Sequence, residues 1–186
     1  MRRLRRNRTA LSNVVSTLII LVVSVLLAGV VTMYATNISS TRTQQEALKV
    51  GKQAVWVYNN GTAYVALAID NVGGRDVVID KIQVRGVEVS WSKVYYTRLN
   101  SSISTSLNCP SANPTWSDFE YTSGRSASFS NDTNDKPLAS GDTMIIYIKN
   151  PDGISISDIG VTIGITVFTK NAQYYVECNV ETAETA

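Results

Sequence analysis

Residues 14–35 are almost wholly apolar, and no side chain between positions 9 and 41 carries a charge. That run exceeds the roughly 20 residues a helix needs to cross the hydrocarbon of a bilayer. Apolar residues surround the helix on every side, which implies burial all round, in lipid or among neighbouring helices. Residues 37–45 are richer in Asn, Ser, Thr and Gln, a composition suited to a stalk. The pattern predicts one helix from near Ser12 to about Val50, with Gly51 as its stop. At 1.5 Å per residue such a helix is about 60 Å long, more than a bilayer requires.

After Gly51 the period changes from helical to alternating. Residues 53–58 and 62–70 flank Asn59-Asn60-Gly61, a turn sequence of the kind that joins hairpin strands. Residues 77–84, 87–91, 143–149, 161–169 and 173–180 repeat the pattern between Gly, Pro and Asn breaks. Seven or more short strands predict an antiparallel sandwich, immunoglobulin-like, or a barrel. The fold class expected is therefore α+β, with a leader at residues 1–10, a helix and stalk at 11–51, and one head at 52–186. Within the head, residues 100–140 form a Ser/Thr/Asn-rich excursion carrying Pro110, Pro114, Trp116, Phe119 and Tyr121. Either this segment faces outward to a partner, or its aromatics pack down on the strands.

Charge then orients the chain. Arg2, Arg3, Arg5, Arg6 and Arg8 precede the apolar run, while only Arg42, Lys49 and Lys52 follow it closely, so the N-terminus is expected inside and the head outside. These five arginines belong to 17 basic against 15 acidic residues; without them the balance is 12 to 15, a net of −3 rather than +2. No basic patch remains in the head, and nucleic acid is not an expected partner. A secretory signal peptide places its small-residue junction after a shorter apolar core. Here the convincing junction, Thr9-Ala10-Leu11-Ser12, precedes the core.

Candidate chemistry is sparse. The chain has no histidine, which removes Ser-His-Asp and Cys-His arrangements and most metal-hydrolase sites. No P-loop or dinucleotide glycine pattern is present, so no enzyme activity and no cofactor is expected. Asp70, Asp76 and Asp80 read as solvated charges or a weak Ca²⁺ site around a Gly-rich turn. Cys109 and Cys178 are the two cysteines, a poor set for a metal; as an even pair in an exported head they favour a disulfide, with two independent buried thiols as the alternative. Closing that loop of about 70 residues would contribute roughly 4 kcal/mol. After residue 10, Asn-x-Ser/Thr sequons lie at Asn37, Asn60, Asn100 and Asn131, possible N-glycosylation sites, the last three in expected turns or loops.

The segment RRNRTALSNVVSTLIILVVS resembles the class III leader and the start of the mature helix in archaeal type IV pilins. The resemblance implies cleavage between Ala10 and Leu11 by a prepilin peptidase, although Thr9 stands where that family usually has a basic residue. Val15 occupies the place where many bacterial relatives carry Glu. The stretch IDNVGGRDVVIDKIQVRG likewise resembles the heads of archaeal pilins and archaellins. Together the two resemblances imply a structural subunit of an extracellular filament. Its mature helix would pack with other copies of itself through Val14, Leu18, Leu21, Val25, Ala28 and Gly29, the small residues allowing close approach. The implied partners are the membrane for the precursor, the peptidase, and an assembly ATPase with its membrane platform. The Leu11-Ser12 start and the cysteine pair suit an adhesive pilin more than the archaellin of a swimming filament. The alternative is a single-pass surface binding protein that keeps its anchor in the membrane.

Overall fold

The computed structural model of the chain describes residues 8–183, with side chains described from Leu11 to Thr41 and from Gln45 to Ala183. The chain divides into two compact units, with the boundary between Thr43 and Gln44. The first holds all but the last residue of the helix α1 (Arg8–Gln44), which is 37 residues long. Every side chain from Leu11 to Thr41 is exposed. Its interior hydroxyls bond within the helix: Thr17 Oγ1 donates to the Val14 carbonyl (2.9 Å), Ser24 to Ile20 (2.7 Å) and Thr32 to Ala28 (2.7 Å). In an apolar surrounding a hydroxyl without a partner is costly, so this back-bonding lets the helix tolerate polar residues there.

The helix ends at Gln44, short of the expected stop near Val50, and strand β1 (Leu48–Val57) begins four residues later. Gly51 lies inside that strand. The local sequence Glu46-Ala47-Leu48-Lys49 favours helix, but Leu48, Lys49 and Val50 pair with Asn71, Asp70 and Ile69 of β2 (Ala63–Asn71). Tertiary pairing overrides propensity here. The connector is held by the backbone: the amides of Val72 and Gly73 donate to the Ala47 carbonyl (both 3.0 Å), and that of Gly74 to Gln45 (3.2 Å). A Cβ on Gly73 would stand 2.6 Å from the Gln45 carbonyl oxygen and 2.7 Å from the Ala47 nitrogen, so only glycine admits this approach.

The remaining strands are β3 (Val77–Val84), β4 (Val87–Glu88), β5 (Val94–Leu99), β6 (Phe119–Thr122), β7 (Arg125–Ala127), β8 (Lys136–Leu138), β9 (Thr143–Lys149), β10 (Thr162–Thr169) and β11 (Gln173–Thr182). They form one curled sheet in the order β4-β3-β10-β11-β1-β2-β9-β5, with β8 also on β3 and a separate β6–β7 hairpin. Pairing is antiparallel except between β1 and β11, which run parallel through Val55↔Val180 to Val57↔Thr182. That parallel pair keeps the two halves hydrogen-bonded in one sheet. The α+β class expected from the sequence is therefore found, but the head is a curled, mostly antiparallel sheet rather than the two separate sheets of an immunoglobulin-like sandwich.

The core lies inside the curl. Val55, Val65, Leu67, Ile69, Ile146 and Ile148 from one half meet Ile79, Ile82, Val84, Ile163, Ile165 and Val167 from the other. A second apolar layer covers the outer face of the first half: Trp56, Tyr64, Ala66, Ala68, Ile145 and Tyr147 pack under Ile103, Leu107, Tyr121 and Phe129. Trp116 stacks on Tyr95 at 4.3 Å between ring centroids and meets Phe119 at 5.3 Å and Phe129 and Tyr147 at 5.7 Å within one ring cluster. The aromatics of the 100–140 excursion thus pack down on the strands. Being covered on both faces explains why β2 and β9 read as continuous apolar runs rather than alternations. The sheet's margins are also paired: Tyr96 of β5 exchanges two backbone bonds with Ser130, and β3 is flanked by β4 and β8. Edges that are short, or met in part by a loop, are poor templates for strand addition.

Candidate functional site

The expected site has two parts, a processing junction and an assembly helix. Ala10 and Leu11 both lie in α1, and Leu11 is exposed. Residues 1–7 of the leader lie outside the described residues. A peptidase acting at Ala10-Leu11 must open helical backbone, since both residues lie within α1.

Val14, Leu18, Leu21, Val25 and Ala28 recur at spacings of four and three, which places them on one side of α1 beside Gly29. All are exposed, Leu21 at 60%. The opposite side is equally apolar, with Ile19, Val23, Leu26 and Val30 exposed as well. Such a cylinder has no preferred wet side, and water is a poor surrounding for any of it.

The cysteines do not pair. Both are free thiols, and they pack in different layers. Cys178 shares the inward parity of Val180 on β11 and packs against the core inside the curl, whereas Cys109 packs in the outer layer beside Trp56 and Tyr58. The reason is the alternation of the sheet itself: inward and outward positions are separated by the backbone layer. Burial pushes the Cys178 thiol up to about 11 and raises Cys109, whose sulfur lies 3.8 Å from Tyr58 Oη. Two protonated, half-buried thiols are weak nucleophiles. The expected disulfide is replaced by its alternative.

The sequons differ in what their amides do. Asn37 is exposed on α1, and Asn100 is exposed just after β5. Asn60 sits in the β1–β2 turn, where its Oδ1 accepts from the Thr62 amide (2.9 Å). Asn131 is different: its Nδ2 donates to the carbonyls of Ser92 (2.9 Å), Val94 (2.8 Å) and Trp91 (3.4 Å). Modification there would break a staple between two loops.

The aspartates expected around the Gly-rich turn also have separate tasks. Asp70 accepts from Thr143 Oγ1 (2.6 Å), Asp76 from the Ser140 amide (2.9 Å), and Asp80 is exposed on β3. No group of three potential metal ligands occurs among the described residues.

Sequence reading missed Lys136. It is fully buried, its Nζ donating to the Asp132 carbonyl (2.9 Å), the Asn134 carbonyl and the Asp132 carboxylate. The ammonium lies 4.8 Å from the Trp91 ring centroid and 4.7 Å from that of Tyr96. Tyr96 Oη donates to the other Asp132 oxygen (2.6 Å). These hydrogen bonds, Lys136 first and then Tyr96, hold the Asp132 carboxyl down to about 2. A lysine is almost never this buried without a partner, but nothing in the string Asn131-Asp-Thr-Asn-Asp-Lys136 announces the two distant rings.

No family model matches this sequence, and no curated protein matches it.

Proposed function

We propose that the chain is a pilin-like structural subunit: α1 is its polymerising element, and the β head is displayed on the outside of the cell. The observation that carries this reading is the uncharged helical stretch Leu11–Thr41, 31 residues long and exposed throughout. It spans about 46 Å at 1.5 Å per residue, against about 30 Å of hydrocarbon. Its all-round apolar surface suits two surroundings in succession, lipid for the precursor and a bundle of identical helices for the product. Moving from one to the other exchanges one apolar surrounding for another, which leaves packing and polar contacts to bias assembly. Small residues at Ala28 and Gly29 admit close approach, and heterologous contacts that do not close give an open filament. The short or partly met edges of the head are consistent with assembly through the helix rather than through its strands.

On this reading a peptidase removes residues 1–10, and the filament adheres rather than rotates. The second reading is a single-pass anchored surface protein. Internal bonding of Thr17, Ser24 and Thr32 suits permanent residence in lipid equally well. Terminal mass spectrometry of material sheared from the cell surface separates the two. A chain starting at Leu11 is expected; one starting at Met1 or Arg2 and retained in the membrane would overturn the subunit reading.

A further inference from the structure

The outer face of the head is covered over β1, β2 and β9 but carries exposed side chains over β10 and β11. Along β11 the outward positions are Gln173, Tyr175, Glu177, Asn179 and Glu181, all exposed. Tyr175 is 61% exposed, yet it is not loose. A Cβ built on Gly164 of β10 would stand 2.5 Å from Tyr175 Cε2 and Oη and 2.8 Å from Cζ, so the ring lies across the bare glycine backbone. Its hydroxyl donates to Glu177 Oε1 at 2.8 Å. The ring is thus fixed beneath and at its tip, with its outward π face open. The neighbouring outward ring, Phe168, has the Lys81 ammonium 4.9 Å from its centroid.

Planar polar groups share this outward face with the ring, Glu177 in direct contact with it. Glu177 is opposite Gly164, Asn179 is opposite Thr162 and accepts from its hydroxyl (2.7 Å), and Gln83 of β3 is opposite Thr166. We propose that this face, centred on Tyr175, binds neutral pyranose chains. The axial C–H groups of a pyranose carry slight positive charge and stack on the negative face of an aromatic ring, while flat carboxylate and amide groups around it match equatorial hydroxyls. Charge selects among partners. Glu177, bonded to the ring's hydroxyl, and Glu181 share the exposed row of β11, while the two lysines beside that row are engaged elsewhere, Lys81 over Phe168 and Lys52 on the Ser104 carbonyl; the groups nearest the ring are therefore acidic, which disfavours anionic glycans, nucleic acid and anionic lipid. A protein partner would call for an apolar interface centre, and this row offers one ring among polar side chains. A ring that merely shields a glycine in the sheet is the alternative role. The platform belongs to the head and does not require α1 to polymerise, so its failure would leave the filament reading standing.

The test uses the full chain in a polyoxyethylene detergent, whose head group offers no pyranose, with calorimetric titration of cellohexaose, chitohexaose and an alginate hexamer. The neutral hexasaccharides are expected to bind and alginate not to bind. Tyr175→Ala should weaken binding at least tenfold, and Gly164→Ala, which lifts the ring while keeping it, should weaken it to a similar degree. Tyr175→Phe should stay within about threefold, since stacking remains. Melting curves check that Tyr175→Ala, a surface change, leaves the head folded. Binding by Tyr175→Ala equal to that of the parent chain, alginate binding as tightly as the neutral sugars, or no neutral hexasaccharide bound at about 5 mM would each overturn the proposal.

Discussion

Lys136 is the residue on which a whole side of the head turns. Its ammonium replaces water with two backbone carbonyls, one carboxylate and two ring faces. Lys136→Met keeps the stem and removes the charge, leaving carbonyls and the Asp132 carboxylate without their donor. Because the Asp132 side chain is 40% exposed and can rehydrate, the loss is expected at the low end for a buried pair, about 2 kcal/mol by denaturant titration. The same pair sets an acid limit. Asp132 titrates near 2 in the folded chain against about 3.9 unfolded. A folded value below the unfolded one means the stabilisation is complete above about pH 4 and is lost as pH falls through about 2. The melting temperature of Asp132→Asn should therefore fall less steeply than that of the parent between those limits. A parallel decline in both would show that the carboxylate carries no such linkage. At this scale the sequence was least informative. Asn131 reads as one of the four sequons after residue 10, and its role as a triple donor depends on Trp91, Ser92 and Val94, about 40 residues away in the chain.

At the scale of elements, the helix and the most regular strands were legible because their pattern is local. Residues 77–84 and 143–149 coincide with β3 and β9, and the apolar run marks α1 without ambiguity. The end of α1 was not legible. Leu48 to Val50 look helical in isolation and become strand only because β2 is there to pair with them. Strands β5 to β8 were missed for a related reason. Val94 to Leu99 do not alternate, since Tyr95 packs into the outer layer while Tyr96 packs into the core and both remain half-buried. Gly73 belongs to this scale too, as the residue that lets the connector seat on the head. Gly73→Val must push backbone atoms 2.6–2.7 Å away from its Cβ, and the expected cost is about 2–3 kcal/mol, read as a lowered melting temperature. An unchanged melting temperature would mean the connector is not clamped.

For the molecule as a whole, one apolar helix and one curled β head divide the work. The head buries two apolar layers, and its two cysteines are free thiols. A disulfide of about 4 kcal/mol would move the melting temperature of a chain this size by roughly 8–16 °C on reduction. With Cys109 and Cys178 in different layers, a reducing agent should leave it unchanged. The pair looked like a disulfide in the sequence because export and an even count carry no information about which face each thiol occupies. The helix, by contrast, is incomplete alone, since its whole surface is apolar and exposed. The central claim is that other copies of the same helix complete it. Leu21→Asp places a charge in the middle of α1, on the side with Val14, Leu18 and Val25, while the remaining apolar residues still favour insertion of the precursor. The decisive measurement is the amount of this variant in filaments sheared from cells, alongside antibody detection of its head at the surface. The account predicts a head that is displayed but absent from the sheared filaments; normal filaments built from the variant would contradict it.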